Sequence, residues 1–431
     1  MRLLLAFLVA LTLAQPALAT DHLPVARLRS AIAADAPRQV ALLERLVNRN
    51  SGTLNLPGVR AVGDVMRAEL EPLGFAVRWV DMAATGRAGH LIAIHPGKRG
   101  RKRVLLIGHL DTVFEPSSPF DRFTRTGDRA TGPGVGDDKG GLVVITGALR
   151  AMQAAGTLRD ANVTIVLTGD EERPGQPTAL ARADLIAAGK QADAALEYEN
   201  LVTENGVEAA TVARRSGSAW ELRTTGHSGH SSAVGRELGW GAIYEMARIL
   251  DAFRRDLPEP DATFNVGLVA GGTPASIDAD GATVSAAGKT NIVAAEAVAR
   301  GDLRTLTPEQ DARLRARMAT IVADHLPGTD ATFRFYDSTP AVAPSERNRA
   351  LLARLNDVNR LLALPEMPAF DPDKRGAADS GFVAADVATL GGLGAAGGGA
   401  HGTGEWVDLT SLPRQALRSA ALIGAIAAER R

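Results

Sequence analysis

Five short segments of this 431-residue chain set imidazoles and carboxylates where they could share a cation. "GHLDTVF" carries His109 and Asp111, and "GPGVGDDKGG" carries Asp137 and Asp138. "VTIVLTGDEERPG" runs from an apolar strand into Asp170, Glu171 and Glu172. "ALEYEN" offers Glu197 and Glu199, and the glycine-rich "GGGAHGTGEWVD" presents His401. Adjacent acids at a strand end repel one another; bound dications would offset that repulsion and hold them ionised. Imidazole with carboxylate, and no thiolate, suits zinc with an open coordination position. Two metals about 3.5–4 Å apart, bridged by a carboxylate, form a hydrolytic arrangement. Singly, each segment has a plainer reading. Acids before a helix cap its N-terminus, an acidic triplet can be a solvated turn, and alternating glutamates can face outward. Five such segments at strand ends are far harder to assign to chance.

The elements that must position them follow from periodicity. Strands are expected at 90–96, 103–108, 162–168 and 194–199, and helices at 24–49, 57–73, 140–156 and 178–189. Apolar strands alternating with helices predict an α/β sheet covered on both faces. Such sheets bind ligands at the carboxyl ends of their strands. After Arg215 the pattern changes to strand 218–225, helix 237–254, strands 263–270 and 298–304, helix 308–326 and strand 331–336. That β-α-β-β-α-β order is the ferredoxin-like split pattern. The Gly-, Ala- and Ser-rich stretch 271–290 reads as a loop within it. Helices and strands resume from 346. The expected organisation is one domain from 20–215 and 338–431, with 216–337 inserted into it.

Composition narrows the field. Hydrophobic residues make up 45% and charged residues 23%, with a formal net charge of −1, which excludes a globally basic nucleic-acid binder. Cysteine is absent, so disulfides, thiolate metal sites, a cysteine nucleophile and lipid attachment through cysteine are excluded. "MRLLLAFLVALTLAQPALAT" has a positive start, a short apolar run and an A-x-A site at Ala17-Leu18-Ala19. Residues 1–19 are therefore expected to be a cleavable signal peptide, and the mature protein periplasmic or secreted without a membrane anchor. No G-x-S-x-G elbow is present. "GLGAAG" at 392–397 is followed by more glycine instead of a helix, so it is no dinucleotide fingerprint. Arg214, Arg215 and Arg375 adjoin candidate pocket segments and could favour an acidic substrate, although surface charge is the plainer reading.

Together "GHLDTVF", "GPGVGDDKGG", "TGDEE" and "AHGTGEWVDLTSLPR" resemble a family of zinc-dependent exopeptidases and amidohydrolases. It includes glutamate carboxypeptidase of the carboxypeptidase-G type, aminoacylases, acetylornithine deacetylase and succinyl-diaminopimelate desuccinylase. The resemblance covers nearly the whole mature chain and is strongest to the glutamate carboxypeptidase branch. It implies an α/β fold: a phosphorylase/hydrolase-like mixed-sheet catalytic domain with an inserted ferredoxin-like α+β lid and dimerisation domain. It also implies a homodimer formed through the lid, and two Zn2+, with Co2+ or Mn2+ as substitutes.

By the same resemblance, His109 and Glu199 would bind one metal, Glu172 and His401 the other, and Asp137 would bridge them through a segment with a cis Asp137–Asp138 peptide. Glu197 is the rival of Glu199. Asp111 would orient His109, Glu171 would be the general base, and His230 would stabilise the oxyanion, often from the partner subunit. His227 is a decoy three residues away. Asn291 and Arg304 would grip the substrate carboxylate, although the segment before Asn291 is longer than the pattern. The implied activity is hydrolysis of the amide to a C-terminal, acidic amino acid. Its alternatives are N-acyl amino acid deacylation or dipeptide cleavage, and, from another class, a non-catalytic binding protein on the same scaffold. The expected substrate is a small peptide or N-acyl amino acid, with neither nucleic acid nor membrane as partner.

Overall fold

A computed structural model describes residues 23–278 and 281–431. The expected signal peptide lies outside the described residues. Six strands form a mixed sheet, in spatial order Ala76–Asp81, Gly89–His95, Asn162–Thr168, Arg103–His109, Ala194–Glu197 and Thr389–Leu390. The first two run antiparallel to each other and the second antiparallel to Asn162–Thr168; the remaining pairings are parallel. Val104, Leu106, Val163, Ile165 and Leu167 point into one core with the helices Val25–Val47, Lys139–Ala155 and Ser411–Ala427. Leu105, Ile107 and Val166 point the other way, onto Leu185, Val383 and Val387. Burial on both faces explains why these strands read as unbroken apolar runs.

The inserted unit is an antiparallel sheet in the order Thr263–Gly272, Glu296–Arg304, Gly217–Gly226, Thr329–Thr339. Helices Ala242–Asp256 and Pro308–Ala323 cover one face. Trp220, Leu222, Ala297, Ala299 and Leu303 alternate inward onto Met246, Phe253, Leu314 and Met318, the period-2 pattern of a half-buried sheet. Trp220 stacks on Phe264 with ring centroids 5.0 Å apart. The chain leaves and re-enters the mixed-sheet unit beside an isolated antiparallel bridge between Arg214 and Val342.

Several boundaries differ from the sequence reading for physical reasons. The expected helix 178–189 is two helices, Thr178–Ala181 and Ala183–Gln191. They break at Arg182, whose fully buried guanidinium turns inward to Asp170 and Asp379. The helix expected from 237 begins at Ala242, after Gly239 and Gly241 at positive φ. Within 271–290 the strands Ala275–Ile277 and Val284–Ala286 form a hairpin. The strand expected to run to 199 stops at Glu197.

Candidate metal centre

Strands Arg103–His109, Asn162–Thr168 and Ala194–Glu197 run parallel, so their carboxyl ends gather at one sheet edge. His109 pairs with Thr168, and Ile107 with Glu197. That register brings the residues after Thr168 and Glu197 level with His109. Donor atoms of His109, Glu171 and Glu199 lie within 4.8 Å of one another, as do those of His109, Asp137 and Glu172. Asp137 stands between two histidines. Its Oδ1 lies 3.0 Å from His109 Nε2 and its Oδ2 lies 3.3 Å from His401 Nε2. His401 Nε2 is also 3.2 Å from Glu172 Oε2. The peptide between Asp137 and Asp138 is cis.

A scaffold of buried bonds fixes these side chains. His109 Nδ1 lies 3.1 Å from the Asp111 backbone oxygen and 3.4 Å from its carboxylate. The Asp111 carboxylate itself accepts the backbone N–H groups of Glu171 and Glu172 at 3.0 and 3.2 Å, and the Thr53 hydroxyl at 2.6 Å. It therefore holds the acidic loop as well as the imidazole. Asp138 occupies the N-cap position of the helix that follows, but its side chain makes no capping bond. Its Oδ2 accepts the His109 N–H at 3.1 Å, and Gly108 and Gly141 leave the space for its carboxyl, since a Cβ on either would sit 2.6 or 2.1 Å from it. Asp170 serves structure: Arg182 donates to it at 2.5 Å and the Gly175 N–H at 2.8 Å. One charge of the acidic triplet is thereby matched by arginine, leaving two for the cluster.

Glu197 and Glu199 diverge. Glu197 is fully buried, accepts from Arg214 at 2.5 Å and receives the Ser380 N–H at 3.3 Å. Glu199, two residues past the strand, accepts from Arg214 at 2.6 Å while remaining within ligand reach of His109 and Glu171. A residue not singled out from sequence, Glu405, accepts the backbone N–H groups of Gly134, Gly136 and Asp137 at 3.0, 2.8 and 2.9 Å. The signal for it was an acid four residues beyond His401 in the same motif.

The electrostatics fit a cation site. Burial, with the neighbouring carboxylates of Glu199, Asp379 and Glu172, pushes the Glu171 carboxyl well above its usual range, with His109 opposing. Burial likewise raises Glu199 to about 7, Arg214 opposing and Glu197 and Asp137 adding to it. Burial works against a charged His109, yet Asp111 and Asp137 outweigh it and raise its pKa well above the imidazole range. Glu172 Oε1 and Asp138 Oδ1 are buried without a hydrogen-bond partner. Crowded anions, two imidazoles and orphaned carboxylate oxygens are the donor set a pair of divalent ions would satisfy.

The residues expected from the inserted unit do not converge within one chain. His230 is exposed and its ring nitrogen accepts the Ser232 N–H at 3.2 Å. Ser231 donates to the Asn291 carbonyl at 2.9 Å, so His230 and Asn291 are neighbours beyond Gly226. Arg304 lies at the opposite end of the sheet, where its Nε donates to Asp302 at 3.0 Å. At ~3.3 Å per residue, the strand Gly217–Gly226 separates these ends by about 30 Å.

A mixed-sheet domain carrying an inserted α+β unit, with imidazoles and carboxylates collected at the strand ends, defines a hydrolase of the metallopeptidase class. The model of Peptidase family M20/M25/M40 matches residues 105–424, and the chain belongs to this family. It is 28% identical over 402 residues to Carboxypeptidase G2 of Pseudomonas sp. strain RS-16, covering 90% of this chain and 89% of the relative. It is 30% identical over 298 residues to succinyl-diaminopimelate desuccinylase of Novosphingobium aromaticivorans, covering 66% and 73%. In fold it is similar to the Bacillus subtilis YXEP protein, a dinuclear metal binding peptidase of the M20 family. That likeness has a TM-score of 0.63 and 15% identity, over 91% of this chain and 98% of the other.

Proposed function

We propose that this M20 metallopeptidase is an exo-acting carboxypeptidase with two zinc ions, hydrolysing the amide to a C-terminal, acidic amino acid. The observation that carries this reading is Asp137, one oxygen toward His109 and the other toward His401. His109, Asp137 and Glu199 would hold one ion; Asp137, Glu172 and His401 the other. Bound there, the ions would polarise the scissile carbonyl and ready a water for attack.

Glu171 would take the proton of that water and deliver it to the leaving nitrogen. Asp111 holds the Glu171 and Glu172 backbone, and so aims both acids. His230 would donate to the developing oxyanion. Its place at the far end of the inserted sheet favours service to a second copy of the chain. The outer strand Thr263–Gly272, with exposed Val266 and Val269, offers an unpaired edge for such a homodimer. Arg304 and Asn291 would hold substrate carboxylates, the first only after releasing Asp302.

The likeness to a desuccinylase favours a second reading, N-acyl amino acid deacylation at the same centre. Incubation with N-acyl amino acids and with peptides ending in Glu, Asp or neutral residues separates the two. Glu171→Ala tests the mechanism: the variant is expected to bind zinc and hydrolyse almost nothing. Turnover at the wild-type rate would overturn the assignment.

A further inference from the structure

Two arginines stand against Glu199, each with an Nε–H buried without an acceptor, and Arg214 has the fuller set of partners. Arg214 is buried, donates through Nη2 to both Glu197 and Glu199, and gives Nη1 to the Gly376 carbonyl at 3.0 Å. By holding Gly376 it fixes the preceding residue, Arg375, beside the cluster. Arg375 donates one N–H of Nη2 to the Asn200 carbonyl at 2.9 Å and stays 3.7 Å from Glu199 Oε2. Its Nε–H is buried without an acceptor. The side chain is only 13% exposed, so this is not a solvated surface charge.

The charges around it are unequal once a metal is considered. Glu197 and Glu199 together balance Arg214 and Arg375. A Glu199 carboxylate engaged by a cation leaves Glu197 for Arg214 and no anion for Arg375. A guanidinium held out of water without an anion is costly. Its planar fork is also the group best matched to a carboxylate.

We propose that Arg375 holds a carboxylate of the substrate, on the residue adjoining the scissile amide, and so sets the preference for that residue. This rests on the two-metal hydrolase reading for the placement of the amide. The carboxylate has two sources, the terminal α-carboxylate or an acidic side chain, and both present the same group to the arginine.

The test uses the full-length protein, with and without metal, and glutarate as probe. Calorimetric binding of glutarate to the metal-loaded protein is expected to weaken roughly 10- to 100-fold in Arg375→Met, the loss of a charged hydrogen-bonded pair. Arg375→Lys keeps the charge without the fork and is expected to fall between; it remains the test should the Met variant fail to fold. Metal content should equal that of wild type in both.

Peptides ending in glutamate and in glutamine separate the two sources. A rise in KM for the glutamate peptide alone assigns the side chain; an equal rise for both assigns the α-carboxylate. Unchanged glutarate affinity and unchanged KM values would overturn the proposal. So would loss of metal together with glutarate binding, because Arg375 would then serve Glu199. Should wild type cleave no peptide yet bind glutarate through Arg375, the hydrolytic reading fails, and with it the placement beside a scissile amide, while the carboxylate site at Arg375 stands.

Discussion

The carboxylate of Glu405 accepts the backbone N–H of Asp137 at 2.9 Å, across 268 positions of sequence. The two residues belong to the loops that carry the candidate ligands His401 and Asp137. Glu405 also ties down Gly134 and Gly136, so one side chain sets the distance between two candidate ligands of one metal. Glu405→Gln keeps the size but offers one acceptor oxygen in place of two. Metal affinity is expected to drop about 10- to 100-fold, measured by competition with a chromogenic chelator. Unchanged affinity would remove Glu405 from the support of the site.

Glu197 and Glu199 are separable by the same assay. Glu197 is enclosed by Arg214 and the Ser380 N–H, whereas Glu199 faces His109. Glu199→Gln should lose one of the two metals while the fold persists. Glu197→Gln should keep both metals and lower the melting temperature, because Arg214 would lose a buried anion, a loss of about 1–3 kcal/mol. The reverse pattern would exchange their roles.

These contrasts show what was legible in sequence and why. His109 and Glu172 stand at or just past the ends of apolar strands, Asp137 just before a helix and His401 in a glycine-rich loop, so residue type and element boundary together singled them out as candidates. The ferredoxin-like order was readable because Trp220, Leu222 and Leu303 alternate and their helices carry the longer period. Glu405 was not readable, because its partners are backbone N–H groups of a remote loop that bear no residue-type signal. Arg214 and Arg182 read as surface charge or as helix interior, because burial of a guanidinium depends on acids supplied from elsewhere in the chain. The end of the strand at Glu197, which sets the two glutamates in different surroundings, is not marked by alternation alone.

Away from the centre, Glu69 predicts an acid-sensitive step. It is nearly buried and meets Arg38 at 2.9 Å, with Arg45 and Arg150 also paired to it. Burial raises its pKa, but the arginines, Arg150 foremost, outweigh burial and hold it below the ordinary value of 4.5. Between the folded pKa and 4.5 the unfolded chain binds more protons. Stability from Glu69 is therefore full above pH 4.5 and fades as pH falls through the folded value. Glu69→Gln should cost about 1–3 kcal/mol at pH 7 and flatten the loss below pH 4.5, read from urea melts across pH. An unchanged acid slope would place the sensitivity in other carboxylates.

Metal removal should cost stability as well as activity. The raised pKa values of Glu171 and Glu199 express carboxylates crowded without a counter-ion. A cation that binds the folded chain alone stabilises it by about 2.7 kcal/mol at a hundredfold excess over its Kd. Dialysis against a chelator should lower the melting temperature and abolish hydrolysis, and zinc should restore both. Activity that survives a fully chelated, metal-free preparation would exclude a metal-assisted reaction.

The position of His230 allows a test of whether the site spans two copies. The strand Gly217–Gly226 carries it about 30 Å from the end at Gly217 that joins the mixed-sheet unit, at the end opposite Arg304. If His230 serves a second copy, each centre draws Glu171 from one chain and the imidazole from the other. His230→Ala and Glu171→Ala should each be inactive alone. Mixed and allowed to exchange subunits, they should regain activity, because a mixed dimer contains one centre with wild-type Glu171 and wild-type His230 from its partner. If His230 served its own chain, every centre in the mixed dimer would lack one of the two groups, and the mixture would stay inactive. Exchange followed by size-exclusion chromatography and an activity assay distinguishes the outcomes, and a monomer in that chromatography would remove the shared-site reading altogether.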